Sequence, residues 1–418
     1  MDKILNVKPA NDGSGDSFVE VQAGIRVRDL VDLLELRELA MINLGATASQ
    51  SIVGAMSTGT HGTGSKLGGL ATQAIALRIV DAHGEIRFCT ATENSELFHA
   101  ARVSVGALGI ITSVTIRVVP QFKLKMTSTP ISFTQLLEDL PALLEKHDRL
   151  QWHMLPYTDY DSPASAGKSK IEGSISLYCL LYNISSIACN QHTDICPLLN
   201  IYLIAAMVVR EEVPFSTPIT PPGPEGGCWG NNKTNPCTDL SYKTLTDNLE
   251  HYNARTLYTE MEMFVPLDVH IEAIKEFVAW METDEVKSQH NPDVYIQLML
   301  RYVASDDILL SPSGGRPTAV MSFIAQGGEN NPPNQADFEL FARGMQAVAE
   351  KSAFQGRVHW GKVNYLSDSK APAQTQSTPE YLEQAYGKEN WQRFRQMRDK
   401  MDPHRMFQNE YLRERLGE

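Results

Sequence analysis

The most chemically suggestive stretch runs from Asn43 to Gly64, NLGATASQSIVGAMSTGTHGTG, and is rich in small and hydroxyl-bearing residues. Small side chains let a backbone pass close to a ligand, and glycines accept positive φ without strain. Successive backbone N–H groups, with the hydroxyls of Ser57, Thr58 and Thr63, could hydrogen-bond a diphosphate or a ribityl chain. Two familiar phosphate patterns fail here. The run from Gly59 to Lys66 reads GTHGTGSK, ending in GSK where a P-loop needs GK followed by Ser or Thr. GTHGTG is not GxGxxG either, so the Rossmann fingerprint is missing. The sequence also contains no GxSxG elbow and no HExxH. A pair of tight turns without a ligand is the plain alternative.

Charged side chains set in strand-like runs are the next candidates. Glu262 alternates with apolar neighbours between Thr259 and Pro266. It stands either on a solvated face or as a carboxylate offered to a site. Arg301 interrupts the apolar run from Val294 to Val303. A cation in such a strand needs a partner, which favours a place in a site. Val358-His359-Trp360-Gly361-Lys362 reads plainly as an apolar strand carrying a polar-tipped core aromatic. Gly106 to Thr112, GALGIIT, makes a second close backbone approach just before a strand. No cysteines form a CxxC pair and no histidines stand at zinc-ligand spacing, so no metal site is expected.

These residues need elements to position them. Phe18–Val21 reads as a strand, and apolar residues from Val27 to about Ala40 recur at helical spacing. Ile75, Leu77 and Ile79 run out to a turn at His83-Gly84, and Ile86 and Phe88 return as a hairpin. Asn94 or Ser95 could cap a helix through Ala101, and Ile110–Val119 is a strand closed by Pro120. From about 125 to 330, strand-like runs alternate around one Pro- and Gly-rich excursion, Pro214 to Pro236. Helical sequence follows: Ala336–Lys351, a helix opened by Thr378-Pro379, and a last helix, Trp391–Met401, stopped at Asp402-Pro403. The fold class is α+β.

Composition bounds the function. The 418 residues, 42% hydrophobic and 21% charged, describe an ordinary globular protein of two or three domains. Fifty acidic residues against 37 basic ones give a net charge of −13, which disfavours nucleic acid and simple electrostatic membrane binding. The longest mainly apolar run, Leu198–Val209, is too short to span a bilayer. Five of the six cysteines (Cys179, Cys189, Cys196, Cys228 and Cys237, with Cys89 apart) share a stretch with two sequons, at Asn183 and Asn232. That pattern suits a disulfide-bearing region in an oxidising lumen, although cysteines in apolar strands also suit a core. Met1-Asp2-Lys3-Ile4-Leu5 lacks the basic start and apolar stretch of a signal peptide and reads like the middle of a domain.

Taken together, the stretches quoted above, with VQAGIRVRDL, GALGIITSVTIRVVP, HWGK and MDPHRMFQNEYL, run in one order through nearly the whole chain. On these motifs the sequence resembles the sugar-1,4-lactone oxidase family, the L-gulonolactone and D-arabinono-1,4-lactone oxidases. These are flavoproteins with the vanillyl-alcohol-oxidase-type (PCMH-type) FAD-binding fold. The resemblance implies an FAD-binding domain over 1–125 that lacks the family's first flavin subdomain, with its GxGHS motif. A cap domain over 126–418 would follow, built on an antiparallel sheet, with a C-terminal segment returning to the flavin. FAD would be held by Gly45, Ala48, Gln50, Ser51, Gly54, Ser57 and Thr58. Gly59, His61, Gly62, Thr63, Gly109, Ile110 and Ile111 would complete its site.

By the same resemblance, Lys362 matches the lysine of the family's HW-G/A-K motif, which faces substrate and flavin. His359 would orient the site or contact the flavin. Arg301 matches the arginine of a Glu-x-Arg strand in which the glutamate position is Met299, as in plant-type gulonolactone oxidases. Glu262 could supply the carboxylate from a neighbouring strand. A glycine at position 45 leaves room for dioxygen beside the flavin, which implies an oxidase releasing hydrogen peroxide. The expected reaction is oxidation of the C2 carbinol of a sugar 1,4-lactone to a keto-lactone. The alternatives are an alditol or other sugar oxidase, or a catalytically silent protein that keeps the fold for binding. Peripheral membrane association is a further possible trait of such enzymes, and any targeting signal would lie upstream of Met1.

Overall fold

The computed structural model describes residues 2–154, 204–219, 237–245, 256–289, 296–328, 334–366 and 378–417. Cys179, Cys189, Cys196, Cys228, both sequons and most of the Pro214–Pro236 excursion lie outside the described residues. Cys89 is free and buried, and Cys237 is disulfide-bonded.

Period-two burial organises the first sheet. Its strands are β1 (Ile4–Pro9), β2 (Ser17–Gln22), β3 (Leu39–Ala40), β4 (Ala74–Val80), β5 (Ile86–Thr90) and β6 (Ile110–Pro120). They run in the order β1-β2-β6-β4-β5, with β3 on β6. Val19, Val21, Val114, Ile116 and Val118 turn inward at alternate positions, as a half-buried sheet requires. Against them packs α1 (Val27–Glu35), whose buried Val27, Leu30, Val31 and Leu34 form a single stripe. Two more helices, α2 (Ile52–Ser57) and α3 (Ser95–Ala101), complete this layer.

The second sheet begins two residues after the first ends. Its strands are β7 (Lys123–Ser132), β8 (Arg149–Met154), β9 (Ile204–Val213), β10 (Cys237–Leu240), β11 (Thr256–Pro266), β12 (Ile296–Val303), β13 (Thr318–Gly328) and β14 (Arg357–Val358). Their order is β10-β7-β9-β8-β12-β13-β11-β14, antiparallel at each described pairing. Helices accompany them: α4 (Phe133–Lys146), α5 (Ser241–Leu245), α6 (His270–Met281), α7 (Asp284–Gln289) and α8 (Gln335–Ala349). One face of this sheet is the core. Phe323 stacks on Phe341 of α8 at 5.3 Å and meets Phe338 at 6.0 Å, while Trp152 meets Phe133 of α4 at 6.1 Å. The other face carries the polar residues considered below. The last helices, α9 (Thr378–Tyr386), α10 (Lys388–Met401) and α11 (Glu410–Leu416), lead back to the first sheet. There Arg393 pairs with Glu96 at 3.0 Å, and the N–H of Ala82 donates to Met401 O at 3.0 Å.

Three expectations are corrected. The helix from Val27 stops at Glu35, because Glu38 takes a left-handed φ of 55° and Leu39–Ala40 pair with β6. Asn94 precedes α3 without capping it, since its amide donates instead to Phe88 O at 2.7 Å. The helix ending at Met401 is not the last, because Asn409 caps α11 through the N–H of Leu412. No helix among the described residues is long and apolar enough to cross a membrane.

Gly109 is required by the fold itself. Its φ is +139°, and a Cβ there would stand 2.3 Å from Val80 O of the neighbouring strand. Gly109→Ala should therefore cost about 2 kcal/mol or more, from strain in a region that only glycine enters readily plus a backbone clash. Chemical denaturation checks this; an alanine variant as stable as wild type would contradict it.

Candidate active site

The site forms where the polar face of the second sheet meets the glycine-rich loop. On β11, Met261, Met263 and Val265 point into the core, so Glu260, Glu262 and Phe264 share the opposite face. Register then fixes their neighbours. Glu262 pairs with Ser322 of β13, Ser322 with Met299 of β12, and Met299 with His153 of β8. Phe264 pairs with Val320, which pairs with Arg301. Met299 and Glu262 therefore stand two strands apart in one row, with Ser322 between them.

Glu262 is only 2% exposed, so the solvated-face reading is overturned. Its Oε1 accepts from Ser322 Oγ at 3.0 Å, while Oε2 lies 3.4 Å from His61 Nε2 and 3.7 Å from His359 Nε2. Burial alone would push the carboxyl up. The Lys362 ammonium and the two imidazoles outweigh it and hold Glu262 well below the usual carboxylate range. Glu260 behaves oppositely. Burial and the Glu262 charge push its carboxyl up in spite of Lys362, whose ammonium it bonds directly. That bond, with Glu262 behind it, overrides burial and raises Lys362.

The segment after β14 puts His359 and Lys362 there by continuing alongside β11. The N–H of His359 donates to Glu262 O at 3.1 Å, and that of Val363 to Glu260 O at 3.1 Å. Trp360 pins the turn from behind: its ring stacks on Tyr386 at 5.6 Å, its Nε1–H donates to Leu310 O, and its carbonyl accepts from Tyr411. At Gly361 a Cβ would meet Thr58 Oγ1 at 2.9 Å, so a side chain there would push the turn off the glycine-rich loop. Burial holds His359 neutral, depressed to about 3.

Arg301 is 6% exposed, and its Nε finds no hydrogen-bond partner among the described residues. Its charge is felt at both His153 and Glu260. His153 contacts Gln151 at 2.8 Å through Nε2 and Gln297 through Nδ1. Both amides approach through their nitrogens, yet a neutral imidazole accepts only once, so one amide must present its oxygen instead.

The glycine-rich loop docks on this sheet through its own backbone. The N–H of Gly64 donates to Tyr302 O at 2.7 Å, the N–H of Ala304 donates to Leu67 O at 2.9 Å, and the Thr63 hydroxyl donates to Leu150 O. Several hydroxyls expected on a ligand are committed elsewhere. Thr58 Oγ1 donates to Gly54 O and Ala55 O, Thr63 is held by the second sheet, and Ser51 caps α2 by accepting from the N–H of Gly54. Backbone donors remain. His61, Gly62 and Thr63 are buried, and their N–H groups have no acceptor among the described residues. Buried N–H groups are nearly always paired, so this row fits a ligand rich in acceptors, as the flavin ring and ribityl chain are. Gly45 and Ala48 are also buried, Gly54 and Gln50 are exposed, and Gly109, Ile110 and Ile111 lie at the start of β6. The turn before them joins α2 through the N–H of Val105 and Ser57 O.

Sequence reasoning missed Glu260 as the partner of Lys362, and also missed His153, Gln297 and Ser322. The readable signal was two carboxylates two positions apart in a strand, which necessarily share a face. His61, Glu262 and His359 offer ligand atoms within 4.8 Å of one another, a closeness that local spacing in the sequence does not record.

His153 and His359, each depressed to about 3 by burial, fold as neutral rings. An unfolded imidazole titrates near 6.5, so the stability tied to their neutrality is full above about pH 6.5 and is lost as pH falls toward 3. The thermal midpoint should decline over that window, and less steeply in His153→Gln. Equal slopes in the two proteins would count against this.

The chain is similar to known flavoproteins over most of its length. The profile of the D-arabinono-1,4-lactone oxidase family matches residues 114–415, and that of an FAD binding domain matches residues 1–90. L-gulonolactone oxidase of Bos taurus is 30% identical over 406 residues, covering 94% of this chain and 80% of that protein. L-gulono-1,4-lactone dehydrogenase of Mycobacterium tuberculosis is 28% identical over 417 residues, covering 96% and 82%. A crystal structure of cholesterol oxidase from B. sterolicum superposes with a TM-score of 0.67 at 15% identity, over 99% of this chain and 83% of that one, a likeness of fold alone. The chain belongs to the D-arabinono-1,4-lactone oxidase family of FAD-dependent oxidoreductases.

Proposed function

We propose that the chain oxidises the C2 carbinol of a sugar 1,4-lactone to the keto-lactone, with dioxygen as the final electron acceptor. The observation that carries this reading is the meeting of a buried arginine, a part-buried lysine and a buried, ionised carboxylate beside the glycine-rich loop. Bound FAD supplies the two-electron step by taking the carbinol hydrogen as hydride.

The chain's own residues manage charge and proton. As the hydroxyl proton leaves, negative charge builds on the oxygen, and a cation fixed beforehand stabilises it without reorganising. Arg301, with Nε unpartnered among the described residues, is free to meet that oxygen. Lys362 is held ready by Glu260. Glu262 supplies the carboxylate that Met299 does not, from the same row of the sheet. Its ionised state leaves it able to accept a proton.

The family resemblance, through the glycine at position 45, is what supports dioxygen as acceptor. A methyl group there would stand 2.9 Å from Thr60 Cγ2, in the seam between the two halves of the loop. Because the Mycobacterium tuberculosis relative is named a dehydrogenase, the acceptor should be measured directly. The FAD-loaded protein should be yellow, bleach anaerobically with a 1,4-lactone and release hydrogen peroxide in air. A panel of lactones and polyols separates this reading from an alditol oxidase. A colourless protein that cannot be reconstituted with FAD would sink it.

Lys362→Met should slow flavin reduction about 10²–10³-fold while FAD binding survives, as for loss of one fixed stabiliser. Glu260, already pushed up, can take a proton when its partner goes, which protects the fold. Anaerobic stopped-flow reduction measures the effect; equal rates would remove Lys362 from the reaction.

A further inference from the structure

We infer that α11 clamps the turn that carries Lys362, with Asn364, Tyr411 and Arg415 as positioning residues for the lysine. This rests on the reaction proposed above, in which Lys362 steadies the developing charge, and adds what holds the lysine in place.

The need for a clamp lies in the lysine and in the strand before it. A lysine ammonium ends a flexible four-carbon stem. Glu260 holds the tip, but the root lies in a turn just past β14. That strand is two residues long and stands at the end of the sheet, so no described strand but β11 flanks it. The backbone of β11 accepts from His359 and Val363 on the inner side of the turn. The outer side, from Trp360 to Asn364, is left to α11.

Hydrogen-bond direction shows how α11 holds it. Ahead of Lys362, the Tyr411 hydroxyl donates to Trp360 O at 2.9 Å. Behind it, Asn364 Nδ2 donates to Lys362 O at 3.2 Å, and the Arg415 guanidinium donates to Asn364 Oδ1 at 2.9 Å. A guanidinium can only donate, so Asn364 must turn its oxygen to Arg415 and its NH₂ to the lysine carbonyl. Arg415 is fixed in turn. It is buried, its guanidinium carbon lies 3.8 Å from the centre of the Tyr411 ring, and its NH1 donates to Tyr411 O at 3.4 Å. Beyond the turn, the N–H of Tyr365 donates to Gln346 Oε1 at 2.9 Å, which anchors the exit on α8.

This gives work to MDPHRMFQNEYL, the stretch that supplies no residue to the sheet face. The Asp402 carboxylate accepts from the N–H groups of Met406 and Phe407 at 2.7 and 2.8 Å and orders the approach to α11. Asn409 caps the helix. Tyr411 and Arg415 are four residues apart, so they share one side of it, while Leu412 and Leu416 are buried. A charge that stabilises a transition state must be held within about 0.5 Å by its supporting residues. The clamp supplies that support to Lys362 from outside the sheet.

The test is a double-mutant cycle on anaerobic flavin reduction by a 1,4-lactone in the holoenzyme. Asn364→Leu keeps the volume of the side chain and removes both of its hydrogen bonds. It should slow the limiting rate about tenfold or more, because displacing a reacting group by about 1 Å costs up to about 10²-fold. In Lys362→Met the same substitution should change nothing, since no ammonium remains to be placed. Equal slowing in both backgrounds, or none in either, overturns the proposal. Tyr411→Phe removes a single hydroxyl and carries the same cycle should Asn364→Leu fail to fold. Reductive methylation, read by peptide mass spectrometry, follows Lys362 without substrate. Its labelling should quicken several-fold in Asn364→Leu while Lys8, exposed on β1, labels as before. Unchanged labelling of Lys362 overturns the proposal. A wild-type flavin that no lactone reduces overturns the reaction proposed above, while the labelling judges the clamp by itself.

Discussion

Two carboxylates buried on one strand are the constraint around which the site is arranged. Residues two apart in a strand lie about 7 Å from each other on one face, and burying an unpaired charge costs several kcal/mol. Glu260 and Glu262, 9% and 2% exposed, therefore need compensation from elements far away in the sequence. Lys362 comes from the segment beside β11, Ser322 from β13, and His61 from the glycine-rich loop. Remove any one, and the remaining charge must protonate or find water. The closeness of the loop, the sheet and the C-terminal segment follows from this requirement as much as from apolar packing.

The compensation is uneven, and that unevenness gives the two carboxylates different work. At Glu260, burial and the like charge of Glu262 outweigh Lys362 and Arg301, so its proton affinity rises while its carboxylate holds the Lys362 ammonium. Glu262 has the Ser322 hydroxyl, the His61 and His359 rings and the Lys362 charge around it, and it stays ionised. Two identical side chains thus separate into a holder and an acceptor through their surroundings alone. Chains with a glutamate at the Met299 position would concentrate both duties beside Arg301. Here, on the reading proposed above, Glu262 would take that duty from two strands along the same row.

Much of this was legible in the sequence, and the part that was not has a physical cause. Alternation predicted β2, the β4–β5 hairpin and β6, because each half-buried strand writes its own pattern. Arg301 and Glu262 stood out as charges in apolar runs, and both are buried. The partners did not stand out. His61 and Glu262 are 201 positions apart, and Lys362 and Glu260 are 102 apart. Such contacts depend on strand register across β11, β13 and β12, which no local pattern records. The hydroxyls of Thr58 and Thr63 misled for a related reason: a donor in a Gly-rich loop can serve a ligand or the protein's own carbonyls, and composition does not distinguish the two.

The glycine-rich loop therefore does more than admit a cofactor. The hydroxyls of Thr58 and Thr63 are committed to α2 and to the second sheet, while the consecutive N–H groups of His61, Gly62 and Thr63 find no acceptor among the described residues. The same three residues contribute the His61 ring to Glu262. A ligand that pairs with those N–H groups would fix the loop backbone, and with it the orientation of the ring that completes the carboxylate's surroundings. Seating such a ligand and setting the surroundings of Glu262 would then depend on one short segment.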